Sequence, residues 1–160
     1  GANDGVHSYD ISDPRAPMEV SEFEHVTSCD PVVANGNVAL ATLRGGTDCG
    51  GSLSQLDVID LTNIYNPQLI GEVSLDNPYG LGFSNADENI VYVCDGTSGL
   101  KIYDITNLTN PVLISTDPTI EALDIISTDN DIVIVLARDG VHQFEAKNPV
   151  QLVEKSVINI

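Results

Sequence analysis

The side chains of this 160-residue chain with the most reactive potential are three histidines, His7, His25 and His142, and three cysteines, Cys29, Cys49 and Cys94. Neither set forms a recognisable constellation. His7 and His142 each stand three residues before an acid, and neither has a second ligand at metal-site spacing. Two further segments of the same form carry Asp57 and Lys101 at that position, so it tolerates either charge and reads as a solvated strand face. No Gly-x-Ser-x-Gly elbow, phosphate loop or dinucleotide fingerprint occurs, and Cys94 has no partner base. The chain is therefore read as non-enzymatic and without a cofactor. Calcium is the one ion its acid-rich loops would suit, although none spaces its oxygens as an EF-hand does, and the metal residues are left unassigned.

The cysteines differ in context. Cys94 lies in Ile90-Val-Tyr-Val-Cys94, where a thiol acts as a small buried hydrophobe. Cys29 just precedes a strand, and Cys49 sits in the loop Gly45-Gly-Thr-Asp-Cys49-Gly-Gly. A Cys29–Cys49 disulfide would close a loop of about 20 residues and stabilise the fold by about 3 kcal/mol in the chain-entropy model. The alternative is three reduced thiols in a cytosolic protein. Arg44 leads into that loop, Asp48 lies within it, and Tyr79 sits between Pro78 and Gly80. These three are the candidate ligand- or partner-binding residues, with Arg44 to Ser54 as the most individual surface.

The elements that must carry these residues announce themselves by repetition. Gly5-Val-His-Ser-Tyr-Asp10, Gln55-Leu-Asp-Val-Ile-Asp60, Gly99-Leu-Lys-Ile-Tyr-Asp104 and Gly140-Val-His-Gln-Phe-Glu145 are copies of one acid-ended strand. The first three acids are each followed seven residues later by proline, at Pro17, Pro67 and Pro111. Between acid and proline lie Ser, Thr, Asn and Asp, which bond their own backbone in turns, so the acids read as hairpin caps. Helical periodicity is absent and β-branched residues crowd the apolar positions. Fourteen strand-like runs are expected, near 5–11, 17–24, 30–35, 38–44, 54–61, 68–75, 79–84, 89–95, 99–105, 111–117, 121–127, 131–138, 140–146 and 149–158.

The equivalent acids are separated by 50, 44 and 41 residues. Four strands per period of 40 to 45 residues is the pattern of a β-propeller blade. The expected fold is thus all-β, one partial propeller domain over 1–160, with a half blade at 5–24 and blades at 30–75, 79–117 and 121–158. About three and a half blades make an open or incomplete ring. A fragment of a longer propeller, an assembly of copies, and a compact domain with an atypical half blade would each account for this.

Leu100-Lys-Ile-Tyr-Asp104-Ile-Thr-Asn and Leu56-Asp-Val-Ile-Asp60-Leu-Thr-Asn resemble the unit of the LVIVD-repeat proteins. Cys29-Asp-Pro-Val-Val, Thr42-Leu-Arg-Gly-Gly-Thr-Asp-Cys49 and Val93-Cys94-Asp-Gly are similar to stretches in bacterial cell-surface members. The resemblance implies a β-propeller, exported or surface-attached, and brings no catalytic motif.

With 24 acidic against 6 basic residues the formal charge is −18, and the basic residues are scattered singly. A nucleic-acid partner is excluded on that ground, because phosphate binding needs a clustered positive field. The longest aliphatic run, Ile132 to Ala137, is far short of a membrane span and reads as a buried strand. No basic region followed by an apolar stretch opens the chain, so an export signal is expected to lie upstream or to have been removed. The functional expectation is an extracellular or cell-surface scaffold that binds a protein or ligand, or that associates with itself through open strand edges. The alternatives are a calcium-dependent propeller hydrolase or lactonase, and a structural subunit joining edge to edge into a ring or filament.

Overall fold

The computed structural model describes residues 5–25, 31–46 and 50–160. Among these the chain is all β, with fourteen strands and no helix, hence none long and apolar enough to cross a membrane. The first sheet has two strands, β1 (Gly5–Asp10) and β2 (Met18–Glu24). The second holds β3 (Val32–Asn35), β4 (Val38–Leu43), β5 (Gln55–Asp60) and β6 (Gln68–Ser74). The third holds β7 (Leu81–Phe83), β8 (Ile90–Cys94), β9 (Leu100–Asp104) and β10 (Val112–Asp117). The fourth holds β11 (Ala122–Ser127), β12 (Ile132–Ala137), β13 (Gly140–Asn148) and β14 (Gln151–Asn159). Order in space follows order in sequence, neighbours are antiparallel, and no sheet closes on itself. Each expected run coincides with one of these strands, β13 and β14 continuing two residues and one residue past theirs.

The hairpins after β1, β5 and β9 share one construction. Asp10, Asp60 and Asp104 each accept a hydrogen bond from the backbone N–H two residues on, at Ser12, Thr62 and Thr106, over 2.8, 2.7 and 2.7 Å. A turn bond then closes from Ala16 N to Asp13 O, Asn66 N to Asn63 O and Asn110 N to Asn107 O. Hydrogen bonds from the Thr62 and Thr106 hydroxyls and backbone N–H groups, and from the Ser12 backbone N–H and hydroxyl, favour the charged carboxylate, so all three acids are held below their ordinary pKa. Glu145 breaks the pattern: β13 runs on through it, and its carboxylate pairs with Lys155.

A second shared feature had no sequence signal. In all four sheets the third-type and fourth-type strands slip register at the same repeat position: Ser8/Tyr9, Val58/Ile59, Ile102/Tyr103 and Gln143/Phe144. The outer strand carries one extra residue there, namely Val20, Ile70, Ile114 or Lys155. These are β-bulges, and each sharpens the local right-handed twist.

The sheets pack face to face in chain order. Val6 meets Ala39, Ala41 and Ile59 between the first and second sheets. Leu40, Leu56 and Val58 meet Val91, Val93 and Tyr103 between the second and third. Tyr92, Leu100 and Ile102 meet Val133, Val135 and Phe144 between the third and fourth. Alternate residues of a strand point to opposite faces, so β8 is buried throughout, Val91 and Val93 on one side and Tyr92 and Cys94 on the other. The Cys94 thiol is accordingly a packed hydrophobe whose pKa burial pushes up.

Two expectations are corrected. The run Ile132 to Ala137 is buried on one face only, since Ile134 and Leu136 on the other are exposed and no described residue covers them. The position held by His7, Asp57, Lys101 and His142 is not a solvated face. Asp57 and His142 are buried, and the Lys101 side chain is largely covered, since each lies on the face turned toward the preceding sheet.

Candidate functional site

Arg44 and Tyr79, chosen separately from the sequence, meet in space. Arg44 follows the last residue of β4, and Tyr79 stands in the link between β6 and β7. The Arg44 guanidinium carbon lies 4.0 Å from the centre of the Tyr79 ring, a cation–π stack that fixes the long cationic side chain against a flat support.

Several bonds hold that support. Tyr79 donates its N–H to Cys94 O over 2.7 Å, and its carbonyl accepts the Thr42 hydroxyl over 2.5 Å. Thr42 is fully buried, so a single side chain ties the end of β4 in the second sheet to the start of the third. Gly80 N–H donates to Leu123 O over 2.9 Å, which brings the start of β11 alongside. Glycine is required at position 80, because a Cβ there would lie 2.1 Å from Asp124 Oδ1. Pro31, Arg44, Pro78, Tyr79, Gly80, Leu123 and Asp124 together line a cavity of about 230 Å³ where three successive sheets meet.

The chemistry of this cavity is bifunctional. The guanidinium offers donors to a carbonyl or carboxylate, and the Asp124 carboxylate offers an acceptor to an ammonium or amide. Asp124 Oδ1 accepts the Ile125 N–H over 2.9 Å, which orients that carboxylate. Proline rings and the tyrosine face supply apolar walls. Three larger cavities, of about 500, 290 and 280 Å³, lie around Asn85 and Glu88, around Asn37 and Leu108, and around Pro118 and Phe144. None brings a basic side chain to bear on its contents.

Asp48, the third candidate, and the Cys29–Cys49 pair lie outside the described residues. Pro31, Leu123 and Asp124 were missed, since only the adjacency of the three sheets brings them to Arg44. The juxtaposition of a glycine in Tyr79-Gly80 with an acid forty-four residues on had no signature in one sequence.

The histidines and buried acids form structural clamps. His142 Nδ1 lies 3.1 Å from Glu154 Oε1, and Nε2 lies 3.0 Å from Asp139 Oδ1, so both ring nitrogens are engaged by carboxylates. Burial alone would lower the imidazole pKa, but the bonds and charges of Asp139 and Glu154 outweigh it and raise the value. At the equivalent position, His7 Nδ1 lies 2.9 Å from Glu19 and Nε2 3.8 Å from Glu22. These three side chains are near enough to hold an ion between them.

In the third sheet Lys101 bonds Asp95 over 2.5 Å and approaches Asp76 at 3.5 Å. Asp95 is fully buried and also accepts the N–H groups of Asp76 and Asn77, the latter over 2.7 Å. It therefore anchors the link leading to Tyr79. Asp57 is held by Gln55 over 2.5 Å, and burial raises its pKa despite that bond.

No protein-family model matches the chain, and a comparison with curated proteins found no similar sequence.

Proposed function

We propose that the chain is an exported or cell-surface β-propeller module of the LVIVD-repeat type, non-enzymatic, which binds a protein partner through the Arg44–Tyr79 cavity. Three observations support the propeller reading. The four-stranded sheets are sequential meanders, the same bulge recurs in all of them and the same hairpin in two, and their first strands neighbour one another. Gly80 bonds Leu123, and Asn85 bonds Ser127 across β7 and β11. The cavity sits where those inner strands begin, at the end of the sheets where loops converge.

The observation that carries the binding reading is the Arg44 guanidinium stacked on Tyr79 beside Asp124. A peptide segment offers both matching groups, a carbonyl or carboxylate for Arg44 and an ammonium or amide for Asp124. The surrounding charge of −18 favours basic segments and speeds their approach. A panel of short lysine-containing peptides, tested by biolayer interferometry, is expected to yield binders that Arg44→Ala and Tyr79→Ala weaken at least tenfold. The exposed Tyr65→Ala should leave them unchanged. Peptides that bind all three variants alike would remove the cavity from consideration. In a separate thermal denaturation, a calcium-induced rise in midpoint would favour the hydrolase alternative.

A further inference from the structure

The repeat gives each sheet two faces, a leading one toward the preceding sheet and a trailing one opposite it. On the trailing face of the second sheet, Val58 stands beside Gly71 and Leu56 beside Val73. The hairpin after β9 presses onto that place. A Cβ added at Gly71 would lie 2.2 Å from the Leu108 carbonyl oxygen, so glycine there lets one backbone rest on another. Gly71 is buried, and Val73 and Leu108 pack into the core between the second and third sheets. Ser21 holds the matching place in the first sheet, and its hydroxyl is likewise shut off from solvent.

The third sheet differs at this place, and so does the hairpin that follows. Ser115 stands where Gly71 does, beside Ile102, and Asp117 stands where Val73 does, beside Leu100. Six residues separate Asp104 from Pro111, but only three separate Glu145 from Pro149. Ala146 follows the acid where Ile105 follows it in the longer copy. The shortened turn leaves Ser115 exposed and a cavity of about 280 Å³ between the third and fourth sheets. Leu100, Ile102, Phe144, Val150 and Leu152 wall it. Ser115, Thr116 and Asp117 bring two hydroxyls and a carboxylate to the same space. Asp117 Oδ1 accepts the Thr119 N–H over 2.9 Å and the Thr119 hydroxyl over 2.6 Å, which holds the carboxylate in place.

We propose that this cavity binds a small cationic amphiphile, a single ring or branched aliphatic group that carries an ammonium. What Leu108 and its hairpin fill at the preceding joint, a ligand fills here. The size fits, because a cavity of about 150 Å³ accepts benzene, and 280 Å³ therefore takes a ring with a short tail. Apolar walls with a few placed polar groups are the usual make-up of a small-molecule site. The charge fits as well. No basic residue lines the cavity, Asp117 offers an acceptor beside the two hydroxyls, and the chain carries −18 overall. A carboxylate-bearing ligand would meet like charge at Asp117. The cavity shares no lining residue with that of Arg44 and is independent of it.

Methyl-resolved NMR titration tests this with three probes of similar shape: phenethylamine, phenethyl alcohol and phenylacetate. The amine should give saturable shifts at the Leu100, Ile102 and Leu152 methyls, with a dissociation constant at least tenfold below those of the alcohol and the acid. Ser115→Leu, which extends an exposed side chain into the cavity, should weaken the amine at least tenfold. Asp117→Asn should bring the amine's affinity down to that of the alcohol, while Arg44→Ala should leave it unchanged. Lack of a saturable shift with the amine overturns the proposal, and so does binding that survives Ser115→Leu or Asp117→Asn. Alcohol or acid bound as tightly as the amine would refute the ammonium. Loss of binding in Arg44→Ala would move the site to the other cavity and equally defeat it. Circular dichroism checks each fold; Ser115→Gln replaces Ser115→Leu should the latter lose its thermal transition.

Discussion

Strands β8 and β12 occupy the same place in their sheets, second of four, with similar sequences, Ile90-Val-Tyr-Val-Cys94 and Ile132-Val-Ile-Val-Leu-Ala137. Yet β8 is buried on both faces and β12 on one. The strand pattern sets which residues share a face, and the neighbouring sheet decides whether that face is dry. Apolar alternation of this kind encodes a capacity for stacking, which is fulfilled in β8 and left open in β12.

The largest effect should come from removing bulk at equivalent positions. Tyr92→Ala, which leaves a cavity and loses the hydroxyl's 3.0 Å bond to Pro149 O, should cost about 3–5 kcal/mol in urea unfolding. Ile134→Ala at the matching place should cost below about 1 kcal/mol in monomer, because its side chain is already partly in water. Equal losses would mean that the fourth sheet's trailing face is covered after all.

Next is the charge clamp of the third sheet. Lys101→Ala strands the buried Asp95 carboxylate and should cost about 3 kcal/mol. Arg138→Ala, whose 3.1 Å pair with Glu121 is solvent-exposed, should cost below about 1 kcal/mol. Thermal denaturation of the two variants separates these outcomes.

Smaller still is the difference between hairpins. Asp60→Ala removes an acceptor from the Thr62 N–H and should lower the thermal midpoint more than Glu145→Ala, in the copy without that turn. The Asp60 contribution is complete above the ordinary aspartate pKa, near 3.9, and fades as pH falls through the depressed folded value.

The smallest contrast lies between the two histidine clamps. The raised pKa of His142 means that its contribution is fully present below about pH 6.5 and is lost as pH climbs through the folded value. Stability should therefore decline slightly as pH rises from about 6.5 through the raised folded value, and His142→Gln should flatten that decline. NMR titration of the imidazole follows it directly.

The strands and three of the hairpins could be read from the sequence because both rest on local chemistry. Alternation marks the strands, and the interval from Asp60 to Pro67 marks the turn. The bulges escaped notice because their extra residues, Val20, Ile70 and Ile114, are apolar like their neighbours, so a one-residue slip leaves no break in the pattern. The burial of Asp57, Lys101 and His142 escaped for the opposite reason. Charged types read as solvated until Gln55, Asp95 and Glu154 are seen to satisfy them. Arg44 and Tyr79 were each conspicuous beside glycine or proline, but their contact depends on two sheets lying side by side, and no stretch of sequence records that adjacency.

The recurring bulge has a further consequence. An added twist at the same position of every sheet bends the last strand of each away from a flat ladder in the same sense. Val20, Ile70, Ile114 and Lys155 thus give those four strands one shape. Deleting any one of them would restore a regular ladder and relax the local twist of that sheet alone.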